Sequence, residues 1–136
     1  AYKTLKDLAH NHDSRIINTI TLSDNLILGL KGDHQFENAS TAYTAASKII
    51  TKLSKSKAIL GLSKTLWHGR IEEIKYGNII KYRNTITILD GAHNIDGAIV
   101  IKKYLQKKSE LKWNLIIGML NNRDIKQFVS EFKEFK

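Results

Sequence analysis

Residues 85–107 read TITILDGAHNIDGAIVIKKYLQK, and this stretch decides the fold. It opens with Thr85 to Leu89, whose β-branched and apolar side chains predict a strand. A polar, glycine-containing loop follows at Asp90 to Asn94. Apolar residues then recur at helical spacing from about Ile95 to Lys107. The order strand, loop, helix is typical of a βαβ unit, in which the next strand runs parallel to the first.

The residues that follow complete this pattern. Trp113 to Leu120 (WNLIIGML) is nearly all apolar, as expected of a strand covered on both faces. A last helix is predicted from an apolar stripe at Ile125, Phe128, Val129 and Phe132. The order predicts a parallel βαβα unit, the opening half of a Rossmann-like sheet. Ligands of such sheets bind at the carboxyl ends of the strands, so we expect the loops 90–94 and 120–123 to be neighbours.

Two further strands are predicted upstream, at Ile71 to Ile74 and at Ile79 to Tyr82. Gly77-Asn78 and Arg83-Asn84 supply the turns. The preceding stretch, residues 54–69, is mixed in character and carries Gly61 and Gly69 as expected bends. It is the best candidate for a linker.

The first half of the chain predicts a β-hairpin and a helix. Residues 15–31 (RIINTITLSDNLILGLK) contain two apolar runs separated by Ser23-Asp24-Asn25, a typical hairpin pattern. The period becomes helical from about Phe36 to Leu53, and Glu37 suits the positive end of that helix. We expect the helix to bury a face made of Ala39, Ala42, Ala45, Ala46, Ile49, Ile50 and Leu53.

The composition predicts a folded domain. Of the 136 residues 42% are hydrophobic, enough for about one domain with a packed core. No run approaches the ~20 apolar residues of a membrane span, and no signal peptide is recognisable. Without cysteine there is no disulfide and no thiolate metal site. We expect a cytoplasmic location without a membrane partner. Because the sequence opens on Ala1 and ends inside an amphipathic pattern, we expect a longer reading frame.

The charge pattern indicates which classes of partner the chain is expected to bind. The net charge of +9 favours anionic ligands. The densest basic cluster, Lys102-Lys103 with Lys107-Lys108, lies at the end of a predicted helix, where cations complement the helix dipole and face water. The alternative is a basic nucleic-acid-binding protein, which needs Lys and Arg around exposed aromatic residues. Most aromatic residues here lie at predicted core positions, so we expect no nucleic-acid partner.

Three segments carry short motifs in a fixed order. They are LGLKGDHQFENASTAYTAA (28–46), LWHGRIEEI (66–74) and LDGAHNIDGA (89–98), with a weaker fourth in GMLNNRD (118–124). Together they resemble the Mur ligase superfamily and, within it, folylpolyglutamate synthases and dihydrofolate synthases. Members show G-x-H-Q-x-x-N-A, W-P-G-R, D-G-A-H-N-P-x-G and G-M-L-x-x-K-D at matching places. The resemblance covers roughly residues 25–125.

The resemblance implies an α/β fold and a division of the chain. Residues 1–57 would be the end of the central ATP-binding domain (a β-hairpin plus a helix), residues 58–69 the interdomain linker, and residues 70–136 the first part of a Rossmann-like Mur ligase C-terminal domain. In that family ATP phosphorylates a folate carboxylate, and L-glutamate displaces phosphate to form an amide. The implied protein is an ATP-dependent ligase of folate biosynthesis.

Two residues of the first two motifs are candidates for ATP binding. The resemblance places Asn38 on adenine, whose N6 and N7 edge suits one amide donor and one acceptor. The alternative is a helix-capping role. Arg70 would contact the ATP phosphates through two parallel hydrogen bonds when the domains close. Its alternative is a surface arginine paired with Glu72 or Glu73.

The third motif supplies the other candidates. An unpaired Asp90 at the end of a buried strand would be costly, and the resemblance places it on the ribose hydroxyls. Gly91 would permit a tight turn and a close ligand approach. The resemblance places His93 near the phosphates in a positioning role, and Asn94 is a candidate helix cap. The alternative for the whole loop is a plain strand-to-helix turn.

His34 and Gln35 belong to the first motif, and their role has two possible interpretations. They would either orient the chain before the helix or contact the ligand. The histidines predict no metal site, because all five are scattered and DGAHNIDG lacks the acidic i, i+2, i+4 spacing of a calcium loop.

Several departures from the family limit the expected activity. The G-x-x-x-x-G-K-[ST] phosphate loop does not occur in the sequence, and the magnesium ligands are expected upstream. We therefore assign no catalytic residue to this chain and expect no ligase activity from it alone. Three alternatives stay open: a remnant of a split or decaying gene, half of an enzyme whose partner is a separate N-terminal half, or a fragment of an intact protein. The family's proline is His68 in the second motif and Ile95 in the third. The spacing from Arg70 to Asp90 is longer than usual, and the extra residues lie around Gly77 to Asn84.

Overall fold

A computed structural model describes residues 2–81 and 85–135. Within them, no helix is both long and apolar enough to cross a bilayer. The elements, in chain order, are α1 (Tyr2–Asn11), α2 (His34–Ile49), α3 (Lys55–Lys64), β1 (Glu72–Ile74), α4 (Asn78–Lys81), β2 (Thr87–Leu89), α5 (Ile95–Gln106) and α6 (Ile125–Ser130).

The core lies between α5 and α6. Its buried residues are Ala98 and Leu105 on α5, Phe128 on α6 and Phe132 just after it. The rings of Phe128 and Phe132 are tilted, with centroids 5.5 Å apart, a favourable aromatic arrangement. Lys102 adds ion pairs at 3.6–3.7 Å to Glu131 and Glu134. The predicted apolar stripe is confirmed at Phe128 and Phe132, whereas Ile125 and Val129 are 45% and 42% exposed.

The described sheet consists of β1 and β2, which run antiparallel with Glu73 opposite Ile88. The strands predicted at 71–74 and 85–89 are confirmed, each shortened to three residues. The strand predicted at Ile79 to Tyr82 is wrong, because Asn78–Lys81 is helical and Tyr82 lies outside the described residues. Gly77 has φ +105° and forms the predicted bend; Arg83-Asn84 also lie outside the described residues.

The parallel βαβα unit is not formed in the described part of the chain. Trp113 to Leu120 carries no strand. Ile117 and Met119 pack on the core, but Ile116 is 99% exposed and Leu120 is 73% exposed. The expectation of cover on both faces is therefore wrong. An apolar run becomes a strand only where a neighbouring strand pairs with its backbone groups, and the only described partner of β2 is β1. The mixed class of helices with a small sheet is confirmed.

The predicted hairpin at 15–31 is also absent from the structure. The turn is present, since Leu26 N–H donates to the Ser23 carbonyl at 3.3 Å. The first run lies along α2 instead of pairing with the second. Ile20 N–H donates to Thr44 Oγ1 at 2.7 Å, and Leu22 N–H donates to Ser40 Oγ at 3.0 Å. These hydroxyl groups satisfy backbone donors that a hairpin would otherwise have paired, and an isolated two-stranded hairpin is only marginally stable.

The helix predicted at 36–53 is confirmed as α2, but its buried face differs. The residues that α2 buries are Gln35, Ala39, Ser40 and Thr44. Of the predicted face, only Ala39 is buried; Ala42 and Ala45 are exposed, and Ile49 is 81% exposed. The face was misassigned because Ser40 and Thr44 use their hydroxyls to receive the backbone of residues 20–22, which a pattern of apolar residues does not register.

Residues 54–69 contain a helix where a linker was expected. Gly61 lies inside α3, so the bend predicted there is wrong, while Gly69 bends the chain with φ +70°. The division into two domains stays a prediction. Residues on either side of the proposed linker are joined by two ion pairs, Lys31 with Glu73 at 2.7 Å and Asp33 with Lys107 at 2.6 Å.

Candidate functional site

The first motif (28–46) contributes to the candidate site at the start of α2. Gly32, with φ +104°, turns the chain into the helix. A Cβ at this position would lie 2.7 Å from the His34 ring and 3.1 Å from the Ile71 side chain. The close approach of these three residues places the first motif directly against the second.

A side-chain network connects three polar residues of this motif. The Gln35 amide donates to His34 Nε2 at 2.8 Å, and Gln35 Oε1 accepts from Asn38 at 3.2 Å. Because an amide nitrogen only donates, His34 Nε2 must accept, and the ring proton lies on Nδ1. That nitrogen is buried and has no hydrogen-bond partner among the described residues. Asn38 is the fifth residue of α2, so the capping alternative for it is wrong.

His34 lies within electrostatic range of the other two motifs. Burial lowers its pKa below the ordinary value, an effect that the nearby charge of Arg70 reinforces and that of Asp90 opposes. The neutral ring agrees with its acceptor role toward Gln35. His34, Arg70 and Asp90 therefore share one small region, although they are far apart in sequence.

Arg70 lies at the tip of a tight turn. Gly69 before it has φ +70° and Ile71 after it has φ +47°. Neither alternative partner of Arg70 pairs with it in the described structure. Glu72 accepts from Gly69 N–H and contacts His68 Nδ1, both at 2.7 Å; these bonds, that to His68 first, lower the pKa of Glu72. The other candidate, Glu73, pairs with Lys31. Arg70 lines a cleft of about 500 Å³ together with Trp67 and Tyr76.

Asp90 joins the second and third motifs. Its Oδ2 accepts from Ile71 N–H and its Oδ1 accepts from Ala92 N–H, both at 2.7 Å. Gly91 N–H donates to the Gly69 carbonyl at 2.8 Å beside them. The carboxylate that the sequence predicts to need partners thus has two. A Cβ at Gly91 would meet only that carbonyl, at 3.5 Å, so the tight turn expected to require glycine is at Gly69 instead.

Two polar residues of the third motif, His93 and Asn94, are exposed. His93 Nδ1 donates to the Gly91 carbonyl at 3.0 Å, since a carbonyl oxygen can only accept. Asn94 accepts from Gly97 N–H at 2.9 Å and caps α5, which confirms the predicted cap. Ala92 of the loop 90–94 packs on the core, as does Met119, which directly precedes the loop 120–123; direct contact between the two loops stays a prediction.

Sequence reasoning missed two residues of this region and underrated a third. Glu72 was considered only as a partner of Arg70, and nothing signalled that it would cap the turn. The positive φ of Ile71 carries no sequence signal, because β-branched residues rarely adopt it. The sequence leaves the role of Gln35 open between orienting the chain and contacting the ligand, although a buried polar residue needs partners.

The other charged groups give little support to rival sites. Two lysines of the basic cluster, Lys102 and Lys107, are engaged in ion pairs with acidic side chains, which favours the solvated helix end over a nucleic-acid patch. Within residues 2–81 and 85–135, no three acidic, histidine or cysteine side chains are grouped to hold a metal ion.

Comparison with known proteins tests the resemblance to folylpolyglutamate synthases. No family model matches the sequence. The chain is 28% identical over 114 aligned residues to the folylpolyglutamate synthases of Saccharomyces cerevisiae strains YJM789 and RM11-1a, which covers 74% of this chain and 20% of each relative. The structure matches that of a folylpolyglutamate synthase from Thermotoga maritima with a TM-score of 0.68 and 23% identity, over 96% of this chain and 35% of that one.

The structural match bears on the fold of the chain, and the sequence matches bear on the family that it resembles. The structural likeness establishes an α/β fold shared with a part of a solved synthase. The sequence likeness then confirms the resemblance to folylpolyglutamate synthases that the motifs predict. The chain spans about a fifth of the length of the curated relatives and about a third of the solved structure.

Proposed function

We propose that this chain forms the adenosine-binding and closing part of an ATP-dependent folylpolyglutamate synthase. The single observation that carries the proposal is the meeting of the three motifs at one junction. Asp90 accepts from Ile71 N–H, next to Arg70, and the His34 ring lies against Ile71 through Gly32. A ligand bound at this junction would contact residues from three separate parts of the sequence.

Each motif would hold a different part of ATP. Asn38, held by Gln35, is suited to the N6 and N7 edge of adenine. Asp90 would accept from the ribose hydroxyls, since a carboxylate has lone pairs beyond the two it uses here. Arg70 would bind the phosphates as a planar, always charged donor. His93 would help to position the phosphates and the incoming amino acid, with His34, Gly91 and Asn94 supporting the two loops.

The proposed reaction is the one that the resemblance to folylpolyglutamate synthases implies. A carboxylate oxygen of the folate attacks the γ-phosphorus of ATP, and ADP leaves, which gives an acyl phosphate. The amine of L-glutamate then attacks the acyl carbon, and inorganic phosphate leaves as the amide forms. Arg70 would stabilise the negative charge that develops on the transferred phosphoryl group. Magnesium would screen the same charge, with its ligands and the phosphate loop on polypeptide outside this sequence.

The exposed apolar surface supports a partnership with further polypeptide. Many large apolar side chains are exposed in the described structure, among them Ile27, Ile49 and Ile116 at 82%, 81% and 99%. A larger assembly would cover them, whether the additional polypeptide belongs to the same reading frame or is a separate N-terminal half. We place the assembly in the cytoplasm, with dihydropteroate or tetrahydrofolate as the acceptor.

The first test is ATP binding by the chain itself. We expect saturable binding that Asn38→Ala weakens and that Asn18→Ala, at an exposed position outside the motifs, leaves unchanged. The second test adds a polypeptide that carries a G-x-x-x-x-G-K-[ST] segment and measures ATP turnover that depends on both glutamate and a folate. Absence of ATP binding, together with DNA binding that falls steeply with salt, would replace the proposal with the nucleic-acid alternative.

A further inference from the structure

The backbone on either side of Arg70 adopts an unusual conformation. Ile71 has φ +47°, a left-handed conformation that its branched Cβ disfavours. Arg70 thus lies between two residues of positive φ, and only Gly69 adopts its conformation without strain. A non-glycine residue persists in this region only where its surroundings hold it there.

Two kinds of contact hold Ile71 in place. Its side chain is 3% exposed and lies against Gly32 at the start of α2. Its N–H donates to the carboxylate of Asp90 at 2.7 Å. A hydrogen bond to an ionised carboxylate is stronger than one between neutral groups, so Asp90 is the main polar restraint on this backbone.

The turn is held at its other end as well. Gly69 N–H donates to Glu72 at 2.7 Å, and the Gly69 carbonyl accepts from Gly91 N–H at 2.8 Å. Asp90 also holds its own loop through Ala92 N–H. The backbone of the Arg70 turn is therefore fixed on both sides, and the Cα–Cβ direction of Arg70 is fixed with it.

We propose that Asp90 is a positioning residue for Arg70, acting through the strained backbone of Ile71. This inference deepens the proposed function and rests on it for the identity of the ligand. It assigns Asp90 a task distinct from contact with the ribose, because the carboxylate aims the guanidinium before any nucleotide binds. Preorganisation of this kind lowers the cost of ordering a long side chain on binding.

The first experiment needs no nucleotide. NMR relaxation and hydrogen exchange are measured on the full 136-residue chain and on Asp90→Asn. We expect faster exchange at the Ile71 and Ala92 amides, and lower order parameters at the Arg70 amide and Nε. Asp124→Asn is the matched control, because that carboxylate also accepts from a backbone N–H, that of Gln127. An Arg70 as rigid in Asp90→Asn as in the parent overturns the proposal, whether or not the chain binds ATP.

The second experiment separates positioning from ribose contact. Affinities are compared for ATP, 2′,3′-dideoxy-ATP and inorganic tripolyphosphate. For the two ligands without ribose hydroxyls we expect Asp90→Asn to weaken binding by the same factor, roughly tenfold, and to cause no further loss in an Arg70→Ala background. For ATP we expect at least that loss, because the ribose contact is removed as well. A loss confined to ATP would assign Asp90 to the ribose alone, and multiplicative losses in the double variant would show that the two residues act independently. Either result overturns the proposal.

A third experiment keeps the proposal testable if Asp90→Asn does not fold in the parent sequence. It measures the effect of Asp90→Asn in two variants, Ile71→Gly and Ile71→Ala. Glycine at position 71 adopts φ +47° without strain, so Ile71→Gly needs less restraint from Asp90. We expect the cost of Asp90→Asn in unfolding stability to be smaller in the Ile71→Gly background than in the Ile71→Ala background. Equal costs in the two would show that Asp90 does not restrain this backbone. Failure of the parent chain to bind any of the nucleotides would count against the proposed function and leave this comparison intact.

Discussion

The side-chain oxygen of Gln35 accepts a hydrogen bond at 3.2 Å from the side-chain amide of Asn38, one turn further along α2. Gln35 is only 6% exposed, and its own amide donates to His34. The bond occupies one N–H of Asn38 and fixes the plane of its amide. The Asn38 oxygen and the other N–H keep the one-acceptor, one-donor pattern that an adenine edge requires.

Replacing Gln35 by leucine should therefore weaken ATP binding without removing a group that touches ATP. We expect a loss of about fivefold, the worth of one ordinary hydrogen bond, and a larger loss from Asn38→Ala. Isothermal titration of the chain with ATP measures both. The control is Gln127→Leu, the same substitution at an exposed position on α6. An unchanged affinity in Gln35→Leu would show that Asn38 needs no such support.

A second prediction concerns the packing of Gly29 against the end of α3. Gly29 N–H donates to the Leu62 carbonyl at 3.0 Å, and a Cβ here would collide with the Thr65 carbonyl. Gly29→Ala should lower the free energy of unfolding by about 1–3 kcal/mol, as overpacking does.

Gly61 provides the matched control for this substitution. It lies inside α3, and a Cβ there would meet nothing within 4 Å. Gly61→Ala should raise the free energy of unfolding by about 0.5–1 kcal/mol, because alanine is the better helix former. Urea denaturation measures the free energy of unfolding of both variants. A Gly29→Ala chain as stable as the parent would contradict the close packing of Gly29 against the Thr65 carbonyl.

A third prediction concerns the start of α5. Asn94 accepts from Gly97 N–H, so Asn94→Ala should cost about 1 kcal/mol of stability through the loss of a helix cap. Ser54 occupies the equivalent position of α3 but makes no side-chain capping bond, and Ser54→Ala should change stability by less than about 0.5 kcal/mol. Chemical denaturation compares the two. Equal losses of stability in the two variants would show that the Asn94 side chain does not stabilise the start of α5.

The sequence predicted best those features that depend on local chemistry. The cap at Asn94, the need of Asp90 for partners and the bend at Gly69 each follow from what a single residue can do, and all three are present. The amphipathic pattern also located α2 and α5 within a few residues. Motif order, not periodicity, indicated which loops share a site.

The features that failed depend on partners distant in sequence. The runs at 15–31 and 113–120 have strand composition, but the residues that would pair with them are set by the tertiary fold. Thr44 receives the backbone of the first run, and the second leaves Ile116 almost fully exposed. The strain at Ile71 was unpredictable for the same reason, since the carboxylate that holds it comes from Asp90, nineteen residues later.

The last prediction concerns the pH dependence of stability, through His34. Burial lowers the pKa of His34 below its ordinary 6.5, and a protonated ring could not accept from Gln35 at Nε2. Because the unfolded chain takes up this proton at the higher pH, the contribution of His34 is unchanged above about pH 6.5 and stability is lost as the pH falls below it. Other groups titrate in the same range, so the test compares the parent with His34→Gln in urea at pH 7.5, 6.5 and 5.5. We expect the parent to lose more stability than the variant between pH 6.5 and 5.5. Parallel losses, or a smaller loss in the parent, would mean that His34 is as readily protonated in the folded chain as in the unfolded one.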